Sequence, residues 1–330
     1  MDCSHFGLRV RPFRTTPDVD AYYPATTHES ALAELRQSLE NEDGVALLLG
    51  EPGTGKTLVA HRYVGELRAG VRSAYLTHGS FVRRGDVLQA LLFDLGLPYQ
   101  KRSLQELRLE LAASCLDYFR EHGRTIIVAD EAHLLPVRVL EELRLMANLE
   151  GKEGRAVQVI LIGLPTLKET IVRPELERLR ERVGVIAQVQ PLGIEESADY
   201  LLHQIRRSGG RPEELLGEDV LDILSHASRG VPRVLNQAAG LAFSLAEQAG
   251  SRVVDAEAAV EAVTRLGLDE EAEKPPVDEL ASSPAPVTLP LTRATVPAVQ
   301  PVRHGDGPPT FIYGGPNSDF SQLPRTATGD

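Results

Sequence analysis

The sequence predicts an α/β protein: a five-stranded parallel sheet covered by helices on both faces, then a small all-helical unit, then a disordered tail. Three observations carry this reading. Short apolar runs alternate with helical stretches up to residue 190. Strand signals vanish after Pro191, and the composition changes sharply near Leu266. Fully apolar runs of strand length separated by helices imply a parallel sheet buried on both sides.

The predicted strands are Val45–Leu49, Ser73–Thr77, Thr125–Ala129, Val157–Ile162 and Val185–Val189. Between them, "SLQELRLELAASCLDYFREHG" and "PVRVLEELRLMANLE" carry helical periodicity. Beyond Pro191, "IEESADYLLHQIRRSG", "GEDVLDILSHASRG", "VPRVLNQAAGLAFSLAEQAG" and "DAEAAVEAVTRLG" read as four helices. The expected division is an αβα domain over 1–190, a helical lid over 191–266 and a tail over 267–330. The tail holds 11 of the 22 prolines, opens on "DEEAEKPPVDE" and has 9 acidic against 4 basic residues. It cannot bury enough apolar surface to offset its ordering entropy. Its segment "PTFIYGGPNSDF" reads as linker or as a short docking motif.

Composition narrows the classes further. The 330 residues leave room for two domains. With no Trp and only 5% aromatics, the core must rest on aliphatic side chains. Cys3 and Cys115 form no Cys-x-x-Cys pair, which points to a reducing compartment. The N-terminal "MDCSHFGLRVRPF" lacks the apolar region of a signal peptide, and no run of about 18 apolar residues suggests a membrane span. The expected location is cytoplasmic. A net charge of −12 disfavours a nonspecific grip on nucleic acid. Arg83, Arg84, Lys101 and Arg102, in "SFVRRGDVLQALLFDLGLPYQKR", make only a thin case for DNA.

The chemistry is carried by Gly50-Glu51-Pro52-Gly53-Thr54-Gly55-Lys56-Thr57, followed by Leu58. It matches G-x-x-x-x-G-K-[ST] in full, with an apolar strand before it and a helix after it. In such a loop, backbone N–H groups curl around phosphate and the helix N-terminus adds favourable partial charge. Lys56 is expected to reach the β- and γ-phosphates, and the Thr57 hydroxyl to ligate Mg²⁺. About 75 residues later, after one intervening strand, "TIIVADEAH" ends a β-branched run in Asp130 and Glu131. Asp130 is expected to hold Mg²⁺ through its water shell, and Glu131 to polarise an attacking water. Together these motifs predict binding of a nucleoside triphosphate and its hydrolysis, with ATP and Mg²⁺ as ligands. The letters Asp-Glu-Ala-His also occur in RNA helicases. Those need a second RecA-like domain, which the helical region after Pro191 does not provide.

The chain resembles the ExeA-type ATPases, the general secretion pathway protein A group of bacterial AAA+ proteins and their pilus-biogenesis relatives. The resemblance rests on "HFGLRVRPFRTTPDVDAYYPATTHESALAEL", "GEPGTGKT", "IIVADEAHLL", "LRERV" and "GVPRVLNQ", and covers Phe6 to Leu266. It implies a P-loop AAA+ αβα sandwich with a helical lid, related also to TniB-like ATPases that accompany transposases. It places Phe13, Pro17 and Tyr23 near the adenine. It implies that Arg182, with Arg178 and Arg180 as rivals, is an arginine finger reaching a neighbouring subunit in an ATP-dependent homo-oligomer. Arg233, in Gly230-Val-Pro-Arg233, matches the lid arginine that contacts the phosphates.

The chain departs from that pattern in two places. Where the family reads Gly-Gln-Pro-Glu-Leu after the fourth strand, this chain reads Gly163-Leu164-Pro165-Thr166-Leu167. A polar residue expected to orient the attacking water is thus Leu164, with Thr166 as a substitute. Secretion members carry a transmembrane helix and a periplasmic domain after the lid, whereas a Pro-rich tail is expected here. Three functions stay open: a motor or switch that remodels a partner complex, a DNA-linked regulator, and a slow-hydrolysing nucleotide switch.

Overall fold

The computed structural model describes residues 1–67, 70–77 and 81–269, and the expected disorder from residue 270 onward lies outside them. Among the described residues seven strands form: β1 (Val45–Gly50), β2 (Arg72–Leu76), β3 (Thr125–Ala129), β4 (Glu150–Gly151), β5 (Gly154–Arg155), β6 (Val157–Gly163) and β7 (Val183–Val189). Five make one parallel sheet in the order β2-β3-β6-β1-β7, and β4 and β5 pair as a small antiparallel hairpin. The five-stranded parallel sheet is the one the sequence predicts. Strand β7 starts two residues before its predicted Val185, because Val45 pairs with Val183; the register then shifts past Gly184, so that Ala46 pairs with Val185.

Helices α1 (Thr26–Glu40) and α2 (Lys56–Gly65) cover one face of the sheet. Leu32, Leu35, Val59 and Tyr63 pack there on Ala46, Leu48, Val128 and Ile160. Helices α3 (Arg84–Asp94), α4 (Leu104–Glu121) and α5 (Val137–Ala147) cover the other, where Leu88, Leu111 and Leu143 meet Leu47, Leu49, Ile127 and Leu161. Successive residues of a strand face opposite layers, so a strand covered twice must be apolar at every position. That is why β1 is apolar throughout and β3 and β6 nearly so; their buried polar residues are hydrogen-bonded, Thr125 accepting from Arg72 and Gln158 donating to Ser38. The start of α4 is fixed by a reciprocal cap. Ser103 N–H donates to the Glu106 carboxylate (2.7 Å), and Glu106 N–H donates to the Ser103 hydroxyl (3.3 Å).

Between α4 and α5 lies a buried ion pair. Arg108 Nε and Nη2 donate to the two carboxylate oxygens of Glu142 at 2.7 and 2.8 Å, and Glu142 is fully buried. Removing the guanidinium would strand a buried carboxylate, which costs about 3 kcal/mol. Arg108→Ala is therefore expected to lower the thermal unfolding midpoint by several degrees, while Arg108→Ala combined with Glu142→Leu recovers most of the loss. An unchanged midpoint in the single variant would remove the pair from the stability of this domain.

Helices α6 (Thr166–Ile171) and α7 (Glu177–Arg180) lead into β7. The remainder is helical: α8 (Ile194–Arg207), α9 (Pro212–Leu215), α10 (Glu218–Ala227), α11 (Pro232–Gln248) and α12 (Ala256–Arg265). The four predicted helices are present, and the one-turn α9 joins them. Their core contains Leu201, Ile205, Leu224, Leu235, Phe243 and Ala262. The N-terminal segment contributes Phe6, Leu8, Phe13 and Ala25 to this same core. The rings of Phe6 and Phe13 sit 5.0 and 5.5 Å from that of Phe243. Side chains of the helical unit also hold the segment's backbone. Asn236 Nδ2 donates to the Arg14 carbonyl (2.8 Å) and Gln204 Nε2 to the Ala21 carbonyl (2.9 Å). No helix among the described residues is long and apolar enough to cross a membrane.

Candidate nucleotide site

The sheet's parallel order creates the site. Strand β1 lies between β6 and β7, yet its chain leaves through α2 to β2 at the far edge. In open α/β sheets the crevice at such a switch point, beyond the carboxyl ends of the strands, is where ligands bind. The loop after β1 and the turn after β3 both open there.

The loop wraps tightly. Gly53 and Gly55 hold φ of 81° and 99°, a region that side-chain-bearing residues rarely adopt. A Cβ on Gly53 would lie 2.9 Å from Arg233 Cβ, and one on Gly55 2.8 Å from His28 Nε2. Both glycines are thus required by space as well as by dihedral. The Thr54 hydroxyl donates to the Glu51 carbonyl at 2.9 Å, closing the loop on itself. Lys56 is buried and its Nζ donates to the carbonyls of Gly50 (2.9 Å) and Glu51 (2.8 Å). Burial pushes the Lys56 ammonium below its usual range, with Glu131, Asp130 and Glu51 pulling the other way.

The acidic turn meets the loop directly. Thr57 Oγ1 donates to Asp130 Oδ2 at 2.7 Å, and the Glu131 N–H donates to Asp130 Oδ1 at 2.8 Å. Glu131 itself holds φ 52° and ψ 36°, a left-handed conformation for a residue with a side chain. Such backbone strain clusters at functional sites. Its carboxylate lies 3.4 Å from His133 Nδ1.

Pro52, Gly53, Gly55, Lys56, Thr57, Leu58, Glu131 and Arg233 line one cleft. Gly50, Glu51 and Thr54 belong to the same loop without lining the cleft, and Asp130 is joined to the loop through Thr57. Arg233 arrives from the helical unit: its backbone N–H donates to the Gly53 carbonyl at 3.3 Å. Phe13 and Pro17 also line the cleft, while the Tyr23 ring packs on Tyr200 and His203 instead. Leu164 lines the cleft; Thr166 is exposed and is not among the lining residues.

Arg182 is not brought to this cleft. It precedes β7 and its carbonyl accepts from Val45 N–H, at the start of β1, whereas the loop follows the end of β1. The two lie apart by roughly 16 Å, the length of that strand. Arg182 is exposed and makes no ion pair within 4 Å among the described residues, whereas Arg180 sits 3.8 Å from Glu177. Of the basic residues considered for DNA, Arg102 is paired with Glu110 at 3.1 Å.

The donor set around Thr57 and Asp130 consists of a hydroxyl and carboxylate oxygens, which are hard ligands suited to Mg²⁺. Among the described residues no cluster of three His, Cys, Asp or Glu side chains is able to hold a metal alone. A site of this kind needs phosphate oxygens to complete the shell, as Mg²⁺ sites built on nucleotides do.

The site has a supporting residue that the motifs do not contain. His28, on α1, is buried, and its Nε2 lies 2.9 Å from the Thr54 carbonyl. A lone histidine on a helix carries no spacing signal that would connect it to a loop 26 residues away. The first turn of α1 is in turn held by Glu196 on α8, which accepts from the Thr26 N–H (2.7 Å) and hydroxyl (3.0 Å).

Residues 39–171 match a family profile described as AAA domain. Over 269 residues the chain is 33% identical to general secretion pathway protein A of Aeromonas hydrophila, covering 81% of this chain and 49% of that one. Over 228 residues it is 32% identical to the Holliday junction branch migration complex subunit RuvB of Rhodospirillum centenum, covering 68% and 55%. The chain thus spans about half the length of these curated relatives. Among solved structures, Cdc6p from Pyrobaculum aerophilum aligns with a TM-score of 0.60 at 19% identity, over 80% of this chain and 71% of that one. The RuvB motor of Thermotoga maritima aligns with a TM-score of 0.52 at 18% identity, over 79% and 75%. At those identities the structures speak for the fold alone. With the strand order, the phosphate loop and these matches in hand, the chain carries an AAA domain on a P-loop NTPase fold, and over most of its length it is similar to general secretion pathway protein A.

Proposed function

We propose that this protein is an ATP-hydrolysing AAA+ motor or switch that assembles with itself and remodels a partner complex of the secretion or pilus kind. The observation that carries the reading is the convergence of Lys56, the Thr57–Asp130 pair, Glu131 and Arg233 on one cleft. Lys56 and the loop N–H groups bind the β- and γ-phosphates. Thr57 and Asp130 would hold Mg²⁺, which would supply neutralisation of charge on the phosphate oxygens. Glu131 polarises the water that attacks the γ-phosphorus. Arg233 ties the phosphates to the helical lid over 191–266, and Arg182 serves the site of a neighbouring subunit in the cytoplasm. The similarity to general secretion pathway protein A supports the choice of partner class.

Leu164 makes this a slow enzyme. An apolar side chain in the cleft leaves the attacking water with one orienting group fewer, and poor positioning raises a barrier by several kcal/mol. Leu164→Gln is expected to raise basal turnover about tenfold without tightening ATP binding, because the gain lies in the transition state. Steady-state phosphate release and calorimetric ATP affinity, measured side by side with Thr166→Val, test this. If Leu164→Gln slows the enzyme and Thr166→Val abolishes turnover, Thr166 is the orienting group.

A DNA-linked role is the second reading, and the similarity to RuvB favours it. A gel shift with double-stranded DNA at two salt concentrations, with and without ATP, separates the two, since phosphate contacts weaken steeply with salt.

A further inference from the structure

We infer that His28 is a positioning residue for the phosphate loop: by donating from Nε2 to the Thr54 carbonyl, it fixes the peptide unit whose N–H belongs to Gly55 and faces the phosphate. The inference rests on the nucleotide-binding reading of the loop and adds to it a residue from outside the motif.

The argument begins with the peptide bond. In a trans peptide the C=O and the N–H of one unit point in opposite directions. The Thr54 carbonyl and the Gly55 N–H belong to the same unit. Drawing the carbonyl towards α1, 2.9 Å from His28 Nε2, turns the Gly55 N–H away from α1 and towards the cleft that Gly55 lines. Gly55 has φ 99°, so this peptide is free to rotate in a way that one flanked by bulkier residues is not. An unanchored unit would populate orientations with the carbonyl oxygen facing the phosphates, which repels them.

The surroundings fit an anchor. Thr54 is fully buried and His28 is 5% exposed, so water does not compete for the carbonyl. A carbonyl accepts only, so the ring must carry its proton on Nε2. His28 Nδ1 is buried with no hydrogen-bond partner, and a proton there would be stranded. Burial also holds the imidazole below its usual pKa, which favours the neutral ring. The edge of the Tyr22 ring packs on the imidazole, with centroids 6.4 Å apart.

Three variants and one spectrum test this. Calorimetric titration with ADP reads the loop's grip on a β-phosphate. His28→Phe keeps an aromatic ring but cannot donate, and it is expected to weaken ADP binding about tenfold, the loss of one well-placed hydrogen bond. His28→Gln, whose amide donates, is expected to stay within about threefold of wild type. Lys56→Ala is the control for the underlying reading. If Lys56→Ala weakens ADP binding and His28→Phe does not, the positioning role is wrong and the nucleotide site stands. If Lys56→Ala has no effect, the nucleotide site itself is wrong. If His28→Gln loses as much as His28→Phe, a restored donor does not restore the grip and the inference is overturned. Should His28→Phe fail to fold, nitrogen-15 spectra of histidine-labelled wild type still decide. The Nε2–H tautomer at His28 is expected, and the Nδ1–H tautomer would overturn the proposal.

Discussion

Lys56→Ala is expected to lose ATP affinity by about a hundredfold or more, the largest loss of binding of any substitution in the site. The ammonium is the one cation built into the loop itself, and charge-assisted contacts to phosphate are the strong ones. Its present partners, the carbonyls of Gly50 and Glu51, lie within the loop that would wrap the phosphates. The ammonium has therefore only to swing towards the cleft when a triphosphate arrives. Calorimetry at low ionic strength measures the loss, and a melting curve without nucleotide controls for the two carbonyls set free. Unchanged affinity would remove the phosphate-loop assignment.

Glu131→Gln is expected to bind ATP normally and to turn over about a thousandfold more slowly, since it keeps an oxygen at the site but loses the base. Arg182→Ala is expected to lose turnover to a similar degree while its own cleft is untouched, because Arg182 sits at the far end of β1 from the loop. Mixing the two inactive proteins then has a distinctive outcome. An interface is complete when an intact base faces an intact finger, which random mixing in equal amounts produces at about a quarter of interfaces of a closed ring. Activity should reappear on mixing and vanish on dilution. A turnover per protomer that is constant across a broad dilution series, in a protein that stays monomeric by light scattering, would rule out action in trans.

The parts of this protein that sequence made legible are those where function is local. Gly50 to Thr57 is contiguous, and the strand and helix flanking it are set by its own neighbours. Asp130 and Glu131 are legible for the same reason, at the end of a β-branched strand. The central strands β1, β3 and β6 were readable because burial on two faces demands apolar residues at nearly every position. What was not legible depends on contacts across long separations. His28 reaches the loop from a helix that carries no motif. The hairpin of β4 and β5 is two residues to a side, too short for any periodicity. The N-terminal segment has the apolar residues Phe6, Leu8 and Phe13, but nothing local says that they complete a core formed by residues after 191. Thr166, a plausible substitute for the missing glutamine, proves to lie outside the cleft that Leu164 lines.

That N-terminal segment has a consequence for how the chain is made. Phe13 and its partner Phe243 are 230 positions apart in the sequence. Ribosomes extend chains at about 5–20 residues per second, so the segment waits roughly ten to fifty seconds for its partner to appear. During that interval the sheet and its covering helices can complete, since both of their apolar layers lie within residues 31–189. Phe6, Leu8 and Phe13 meanwhile remain without the ring they pack on, and such waiting apolar stretches invite chaperones or wrong partners. A contact of this separation also slows folding, because loop closure must come before the contact can stabilise anything. Phe6, Leu8 and Phe13 are therefore translated well before the residues they pack on and are among the last to reach their place.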